Sequence, residues 1–560
     1  MADFYSEILQ QLKKKELSLE ELAKLKRELA RKYQLPKIPT NIEILLQLPE
    51  KEMVKMKRKL LTKPGRTSSG VAPLAIMSKP FPCPHGKCAM CPGGPESFFG
   101  EVPQSYTGHE PASMRGRRNH YDAYLQVFNR LEQYFLLGHN FEKIELIIMG
   151  GTFPSFPKEY QEKFITEALQ ALNDFSQLFY DESGELDFLK FKKFFQLPAE
   201  NLLAPQRIKE VQKKLEQLKI KRKTSLEEEQ KKNETAKIRC VAMCLETRPD
   251  YASLQEGNEC LRLGATRIEL GMQSVYDDIL KKICRGHSTT ETKIAFRTLK
   301  DLGFKVGGHY MPGLPEVTRK KDLAGMKKLF SDPDYRPDAL KIYPCMVLPG
   351  TKLEQEYLAG RFQPLDTEEA TEMIVNFKKI VPEYCRIMRV QRDIPTTKII
   401  AGVDKTNLRQ YMEQNYKFKC HCIRCREAKG QEINWSKVKI NIEKYVASKG
   451  QEFFISVVDT SQDLLVGFLR MRFPSQFLRP EITTKSALIR QLHVYGTATG
   501  LGQEGAIQHR GWGKKLLQTA EELAKKKGKN KLVVISGIGV REYYKKLGYV
   551  REGVYMVKEI

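Results

Sequence analysis

CPHGKCAMC, residues 83–91, sets Cys83, Cys88 and Cys91 on one short loop in the spacing C-x4-C-x2-C. Three thiolates this close suit a cubane iron–sulfur cluster, whose protein ligands are thiolates. A cluster held by three cysteines leaves its fourth iron open to the amino and carboxylate groups of S-adenosylmethionine (SAM). Electron transfer into that cofactor can release a 5′-deoxyadenosyl radical. A structural zinc site is the alternative. Zinc normally takes four protein ligands, and His85 is near enough in sequence to be the fourth. Spacing alone leaves both readings open.

The text around the loop is α/β. IELIIMG (144–150), IRCVAMCLE (238–246), RIELGM (267–272) and KVGGHYMPG (305–313) read as short strands between helical stretches. Such alternation predicts a mostly parallel sheet, either a barrel or doubly wound. The strands end in MGGTF (149–153), ETRPD (246–250), ELGMQS (269–274) and HYMPGLP (309–315). Polar residues and glycines at strand ends are where these folds place active sites. The block 81–395 resembles the radical SAM superfamily, although the usual first cysteine gap is one residue shorter. The resemblance implies a partial (β/α) barrel, a [4Fe-4S] cluster on Cys83, Cys88 and Cys91, and SAM held by Gly150, Gly151, Thr152, Glu246 and Gln273. A charged stretch at 174–236 interrupts the alternation and reads as an exposed, partly disordered helical excursion.

A second α/β unit fills 431–560. IEKYVASKG (442–450) reads as helix. EFFISVVD, DLLVGFLRMRF, ALIRQLHVYG and LVVISGIG read as strands. QHRGWGKKLL (508–517) carries Q-x-x-G-x-G at a helix start, where backbone N–H groups can cradle a pyrophosphate. With VREYYKKLGYVREG behind it, the unit resembles the GNAT acetyltransferase fold. The resemblance implies acetyl-CoA in a gap between two strands. Gln491, Leu492, His493 and Val494 would pair with the pantetheine arm, and Trp512, Gly513 and Lys514 would hold the pyrophosphate. Tyr544 would lie near the thioester, with Tyr543 and Tyr544 as candidates for aiding its hydrolysis. No Glu or His stands out as the general base that amine acetylation needs.

KCHCIRCRE (419–427), in a connector over 396–430, offers Cys420, Cys422 and Cys425 as zinc ligands, with His421, His287 or His109 open as the fourth. A second iron–sulfur cluster is the alternative. Cys240, Cys244, Cys260, Cys284, Cys345 and Cys385 are scattered and read as small core residues.

The 560 residues, 41% of them apolar, can bury several cores, so wholesale disorder is excluded. No apolar run reaches the roughly 18–20 residues of a membrane helix, and the N-terminus lacks a secretory apolar stretch, so a cytoplasmic protein is expected. Lys and Arg number 94 against 68 Asp and Glu, a net charge of +26, which favours a polyanionic partner. Residues 1–80 read as a basic helical segment that could grip RNA, with Ser18 and Glu21 placed as a capping box. SMRGRRNHYDAYLQ (113–126) sets Arg115, Arg117 and Arg118 beside Tyr121 and Tyr124, a combination suited to phosphates and bases.

The join of the two units is the most specific feature. KPGRTSSGVAPLAIM, CPHGKCAMCPGGP, QSYTGHEPASMR, MGGTF, ETRPDY, LGMQSVYDD, RGH, VQRDIP, HVYG and YYKKLGY together resemble the catalytic subunits of Elongator in their single-chain archaeal or bacterial form, tRNA uridine acetyltransferases. The longer cysteine gap belongs to that family. The resemblance implies a radical that takes hydrogen from the acetyl-CoA methyl group. The resulting carbon radical adds to C5 of the wobble uridine, and thioester hydrolysis leaves 5-carboxymethyluridine. It also implies zinc in the connector, tRNA contacts from Arg115, Arg117 and Arg118, and an acetyl-CoA contact from Lys143 in LGHNFEK. The electron donor is unidentified, and a homodimer stays open. The competing expectation is a protein lysine acetyltransferase whose iron–sulfur domain is structural.

Overall fold

Two seven-stranded sheets organise the chain, one wholly parallel and one mixed. The computed structural model describes residues 2–49, 69–199, 201–496 and 511–560, with 52, 56, 59, 60 and 67. Most of the basic run at 51–66 and the start of the glycine turn at 508–510 therefore lie outside the described residues. Among the described residues, no helix is long and apolar enough to cross a membrane.

The parallel sheet runs β1 (Ala72–Met77), β2 (Lys143–Met149), β3 (Arg239–Thr247), β4 (Arg267–Gln273), β5 (Lys305–Tyr310), β6 (Ala339–Ile342) and β7 (Arg386–Arg389), in that spatial order. Helices connect successive strands, so the sheet curls into a half-barrel whose open seam lies between β1 and β7. The strands read from sequence are β2 to β5. β1 was hidden in APLAIM, inside the segment expected to be helical; the barrel begins at Ala72, not near residue 81. Its pattern of deeply buried Ala72, Leu74 and Ile76 is the period-two signature of a strand.

The mixed sheet runs β8 (Val438–Ala447), β9 (Gly450–Asp459), β10 (Leu464–Phe473), β11 (Ser486–Val494), β12 (Lys531–Val534), β13 (Val550–Glu552) and β14 (Tyr555–Glu559), in the order β13-β14-β12-β11-β10-β9-β8. The helix expected in IEKYVASKG is instead part of β8, paired antiparallel with β9 over its full length. Val438, Ile440 and Ile442 alternate with polar residues, and that period of two wins over the local helical composition. β11 and β12 are parallel neighbours, and their pairing stops at Ile489–Val534. Arg490–Val494 runs on past it, which opens the sheet at one end.

The N-terminal helices Ala2–Lys14, Leu19–Lys32 and Asn41–Gln47 bury Phe4, Ile8, Leu12, Leu22, Leu29 and Leu45 in the same core as the barrel. The expected capping box forms: Ser18 Oγ accepts from Glu21 N at 3.2 Å, and Glu21 returns the bond at 2.7 Å. Lys13, Lys14 and Lys15 face solvent. Among the described residues the excursion at 174–236 is helical and packed, against the expectation of partial disorder. Helices Phe188–Phe194, Pro205–Ile220 and Leu226–Asn233 bury Phe188, Phe191, Val211, Leu215 and Leu226, enough apolar contact to hold them. At its borders, Asn173 donates to Glu229 and Asn233 to the Ile238 carbonyl. Of the six scattered cysteines, five are buried; Cys284 is exposed, at a left-handed turn (φ 55°) just after a short helix.

The mixed sheet docks on the N-terminal ends of the barrel strands through buried charge. Arg490 donates to both oxygens of Asp338, each at 2.8 Å, just ahead of β6. Glu452 receives Arg490 and Arg472, each at 2.9 Å. Arg472 also reaches Asp301 at 2.7 Å, ahead of β5. Asp338 additionally accepts from the Val306 N–H at 2.8 Å. Burial opposes the Asp338 charge, but Arg490 and Arg470 outweigh it and hold the carboxyl well below the usual carboxylate range. Losing one member of a buried charge network leaves its partners unpaired, at a cost of about 3–5 kcal/mol. Asp338→Asn is therefore expected to lower unfolding free energy by that order, read by denaturant melts. Because the folded pKa is depressed, this stabilisation is present above about pH 4 and is lost as pH falls below it. A variant that melts like wild type at pH 7 would show that this network does not hold the units together.

Candidate active site and its relatives

The cysteine loop follows β1 at the C-terminal mouth of the half-barrel. Cys83 is half-buried, while Cys88 and Cys91 are buried. His85 Nδ1 lies 3.1 Å from Cys83 Sγ, and its Nε2 lies 3.1 Å from Cys88 Sγ. Gln104 donates to Cys91 at 3.2 Å, and Arg285 to Cys88 at 3.5 Å. Burial pushes the Cys83 and Cys88 thiols up, while Arg248 and Arg285 respectively act against that rise. The three sulfurs do not all lie within 4.8 Å of one another, whereas those of Cys420, Cys422 and Cys425 do. Tetrahedral zinc with Zn–S near 2.3 Å sets its sulfurs about 3.8 Å apart. The wider early set therefore fits a multi-iron cluster, and the tighter late set fits a single ion.

The residues expected to hold SAM surround this loop. Gly150 adopts φ 129°, and a Cβ there would overlap Ser78 Oγ, so only glycine lets β2 turn here. Gly151 and Thr152 line the cavity beyond, and Thr152 Oγ1 lies 3.9 Å from Cys83 Sγ. Gln273, at φ 65° on the end of β4, lines the same cavity with a buried, unpartnered Oε1. Such an orphaned acceptor beside the cysteines suits a polar ligand. Glu246 is engaged differently. Its carboxylate accepts from Lys341 Nζ at 3.0 Å and from Tyr106 Oη at 2.9 Å, and Lys341 also pairs with Glu269. Burial opposes both charges, but the pairing wins: Glu246 is held below the usual carboxylate range and Lys341 above the usual lysine range.

A cavity of about 1340 Å³ joins these groups and continues down the half-barrel. Its walls take in Cys83 in the loop after β1, Gln273, Glu246 and Lys341 near the C-terminal ends of their strands, and Glu145, Arg267, Arg386 and Glu427 toward the other end. Pro73 and Ala75 of β1 and Met388 and Arg389 of β7 both line it, so it opens along the seam. Arginines flank that opening on both sides. Arg115 and Arg118 stand on the β1 side; Arg392, Arg409 and Arg424 stand on the other. Arg115 is buried and donates to the Ala75 carbonyl at 2.6 Å, Arg117 is exposed, and Arg118 is half-buried. Tyr124 is not a surface stacking platform as expected: it is fully buried and hydrogen-bonded to Asp174. Sequence reading missed the arginines of the second side. Burial, with Arg409 and Arg386 close by, lowers Arg424 to about 10, so like charges crowd there.

At the far end the two units meet. Arg386 pairs with Glu427 and donates to Tyr495 Oη at 3.0 Å, and His493 Nε2 donates to the Ser69 carbonyl at 3.0 Å. Ser69 itself lines the barrel cavity. His493 stacks on Phe468, and burial lowers it to about 4, so it is neutral. Gln491 accepts from Arg470, and Leu492 and Val494 pack toward the sheet core. Trp512 and Gly513 open the helix Trp512–Lys526, Trp512 stacked on Trp435 and Lys514 exposed. A Cβ on Gly513 would sit 2.8 Å from Tyr543 Oη, so Tyr543, not Tyr544, faces the turn. Tyr544 is buried in the sheet core against Tyr549. Lys143 starts β2 beside Arg239, at the end of the barrel that meets this unit.

In the connector, Cys420, Cys422 and Cys425 converge, with Ile423 N bonded to the Cys385 carbonyl at 3.0 Å. None of the three histidines joins them. His421 lies 3.6 Å from Asp463, His109 packs on Phe99, and His287 lies near Arg285 and Asp250 at the barrel mouth. Among the described residues the group contains the three cysteines alone.

Comparison with known proteins agrees with this architecture. The radical SAM superfamily matches residues 81–325 and its C-terminal domain 337–417; the ELP3 N-terminal domain matches 1–68 and the acetyltransferase (GNAT) family 424–549. The chain is 45% identical over 536 residues to the tRNA uridine(34) acetyltransferase of Methanocaldococcus infernus, covering 93% of this chain and 92% of that one. It is 37% identical to Elongator complex protein 3 of Schizosaccharomyces pombe, covering 95% and 93%. The solved archaeal Methanocaldococcus infernus Elp3, lacking residues 1–46, superposes with a TM-score of 0.71 at 41% identity, over 88% of this chain and all of that one. The chain therefore belongs to the Elongator complex protein 3 family, with a radical SAM domain joined to a GNAT domain.

Proposed function

We propose that this protein modifies the wobble uridine of tRNA, building a carboxymethyl group on C5 from the acetyl group of acetyl-CoA. The observation that carries the reading is the cavity running from the cysteine loop to Arg386 and Glu427, of which Arg386 bonds Tyr495 of the GNAT unit, because the reaction needs the radical site to be reached from that unit. When bound, a [4Fe-4S] cluster and SAM supply a carbon radical able to take hydrogen from an unactivated methyl group. Cys83, Cys88 and Cys91 would hold the cluster, and Gly151, Thr152 and Gln273 would hold SAM. The opened end of β11, the helix N-terminus at Trp512 and Gly513, and Tyr543 hold acetyl-CoA. Lys143 contributes from the barrel side. The arginines flanking the seam draw in the RNA backbone, and the exposed Lys13, Lys14 and Lys15 add positive charge in the N-terminal segment. A one-electron donor must come from outside the chain. The free thiols suit a reducing cytoplasm. A lysine acetyltransferase leaves both the arginine-flanked seam and the cysteine loop without use.

Three outcomes test this. Anaerobic reaction of reconstituted protein with tRNA, SAM, a reductant and methyl-deuterated acetyl-CoA is expected to place deuterium in 5′-deoxyadenosine and to yield modified wobble uridine; unlabelled deoxyadenosine would refute hydrogen abstraction from the acetyl group. Arg409→Glu with Arg424→Glu is expected to weaken tRNA binding at least tenfold and flatten its salt dependence by about one per lost phosphate contact, with iron content unchanged. Binding as tight as wild type would remove the second side of the seam from the interface. For the connector, elemental analysis is expected to give one zinc per chain, lost in Cys422→Ser together with thermal stability; zinc retained in that variant would rule this site out.

A further inference from the structure

Near the C-terminal ends of β3, β5 and β6 lies a charged group that neither the cysteine loop nor the GNAT turn uses. Lys341 Nζ sits between the Glu246 and Glu269 carboxylates, with His309 Nε2 2.7 Å from Glu269 and Tyr106 Oη 2.9 Å from Glu246. The two carboxylates and His309 lie close enough to ligate a metal. The lysine already supplies the cation they need, so the cluster is complete in charge without one. It is also not sealed off as a purely structural pair would be: Glu246, Lys341, Tyr106 and His309 all line the cavity. The cavity exceeds the roughly 300–1,000 Å³ typical of one small ligand, which leaves room beyond SAM for a second occupant.

The protonation states are fixed, which makes the pair a reader and not a proton relay. Lys341 is held as ammonium, a pure donor, and Glu246 as carboxylate, a pure acceptor. Two of the three ammonium protons go to Glu246 and Glu269, leaving one for a ligand. Glu246 likewise keeps lone pairs beyond those used by Lys341 and Tyr106. A donor and an acceptor side by side match an edge presenting an acceptor next to a donor. Uracil shows this at O4 and N3–H. Cytosine shows the reverse, N4–H₂ beside N3, and would set donor against donor and lone pair against lone pair. In a desolvated site such a mismatch is costly, because the buried groups stay unpaired. A base carried on tRNA reaches the cavity through the arginine-flanked seam once it leaves its stack.

Glu246 pairs in register with Glu269, and Gln273 lies four residues further along β4. From this geometry we propose that Glu246 and Lys341 read the N3–H and O4 edge of the target base, and so select uracil over cytosine; Glu246 is thereby a specificity residue and not a SAM ligand. The proposal rests on the tRNA reading above.

The test is a cycle of RNA and protein changes. Anticodon stem-loops with uracil, cytosine or N3-methyluracil at the wobble position are titrated into the reconstituted holoenzyme and followed by fluorescence anisotropy. Wild type is expected to bind the uracil form at least about tenfold more tightly than either other form. Glu246→Gln, nearly isosteric and able to turn an N–H toward cytosine N3, is expected to shrink the cytosine penalty to within about threefold. Lys341→Met is expected to shrink it as well, and melting curves with iron content check both folds. If one variant folds poorly, the other decides; if both do, the wild-type comparison of uracil with N3-methyluracil decides. An undiminished cytosine penalty in a well-folded Glu246→Gln, or no uracil preference in wild type, overturns the proposal. The product assay separates the two readings: modified uridine from wild type with an unchanged penalty in Glu246→Gln sinks only this inference, while no modified uridine sinks the function itself.

Discussion

The Asp338–Arg490–Glu452–Arg472–Asp301 network is the constraint on which the arrangement depends. Every member is buried, each charge faces an opposite one, and the two end steps, Asp338–Arg490 and Arg472–Asp301, cross between units. A buried ion network adds little net stability over a well-packed apolar contact. What it adds is direction: bidentate Arg490 on Asp338 admits few rotations or slips. The GNAT sheet is thereby fixed to the N-terminal ends of the barrel strands, opposite the cysteine mouth. The cysteine mouth and the GNAT sheet lie at opposite ends of the barrel strands, and the cavity runs between Cys83 and Glu427.

That interior is electrically unusual for a barrel core. Layers of branched apolar side chains normally fill such a space. Here Glu145, Arg267, Glu246, Lys341 and His309 project into it. Buried charges persist when paired, and these are: Arg267 with Glu145 and Glu269, Lys341 with Glu246 and Glu269. The result is a polar passage with fixed donors and acceptors, open along a seam flanked by arginines. The connector contributes to both functions, since Arg424, on that seam, stands one residue before Cys425, so the cysteine site and the anion-attracting rim are fixed together.

Much of this was legible in one dimension because it is local. The C-x4-C-x2-C loop, the glycine pair after β2, the capping box at Ser18 and the late CxCxxC are chemistry spelled within ten residues. Periodicity located β2 to β5 and β9 to β12. It failed at β1, a six-residue strand beside basic helices, and at β8, where helix-favouring residues lie in a strand held by β9. The excursion was misjudged because a few phenylalanines and leucines spaced far apart suffice to anchor charged helices. Tyr543 and Tyr544 are neighbours in sequence, and nothing in the text says which one turns toward Gly513.

Sequence by itself determined the two domain types, their order, both cysteine sites and the excess of positive charge, since each depends on residue identity at short spacing. Tertiary structure alone decided that the cavity beside the cysteine loop reaches Arg386 and Glu427 next to the GNAT sheet, that Arg115, Arg409 and Arg424 line its opening while each bonds a strand carbonyl, and that Glu246 answers to Lys341. Those facts arise from pairs separated by tens to hundreds of residues. Electrostatic and steric contact depends on distance in space, and a single chain read along its length carries no measure of it.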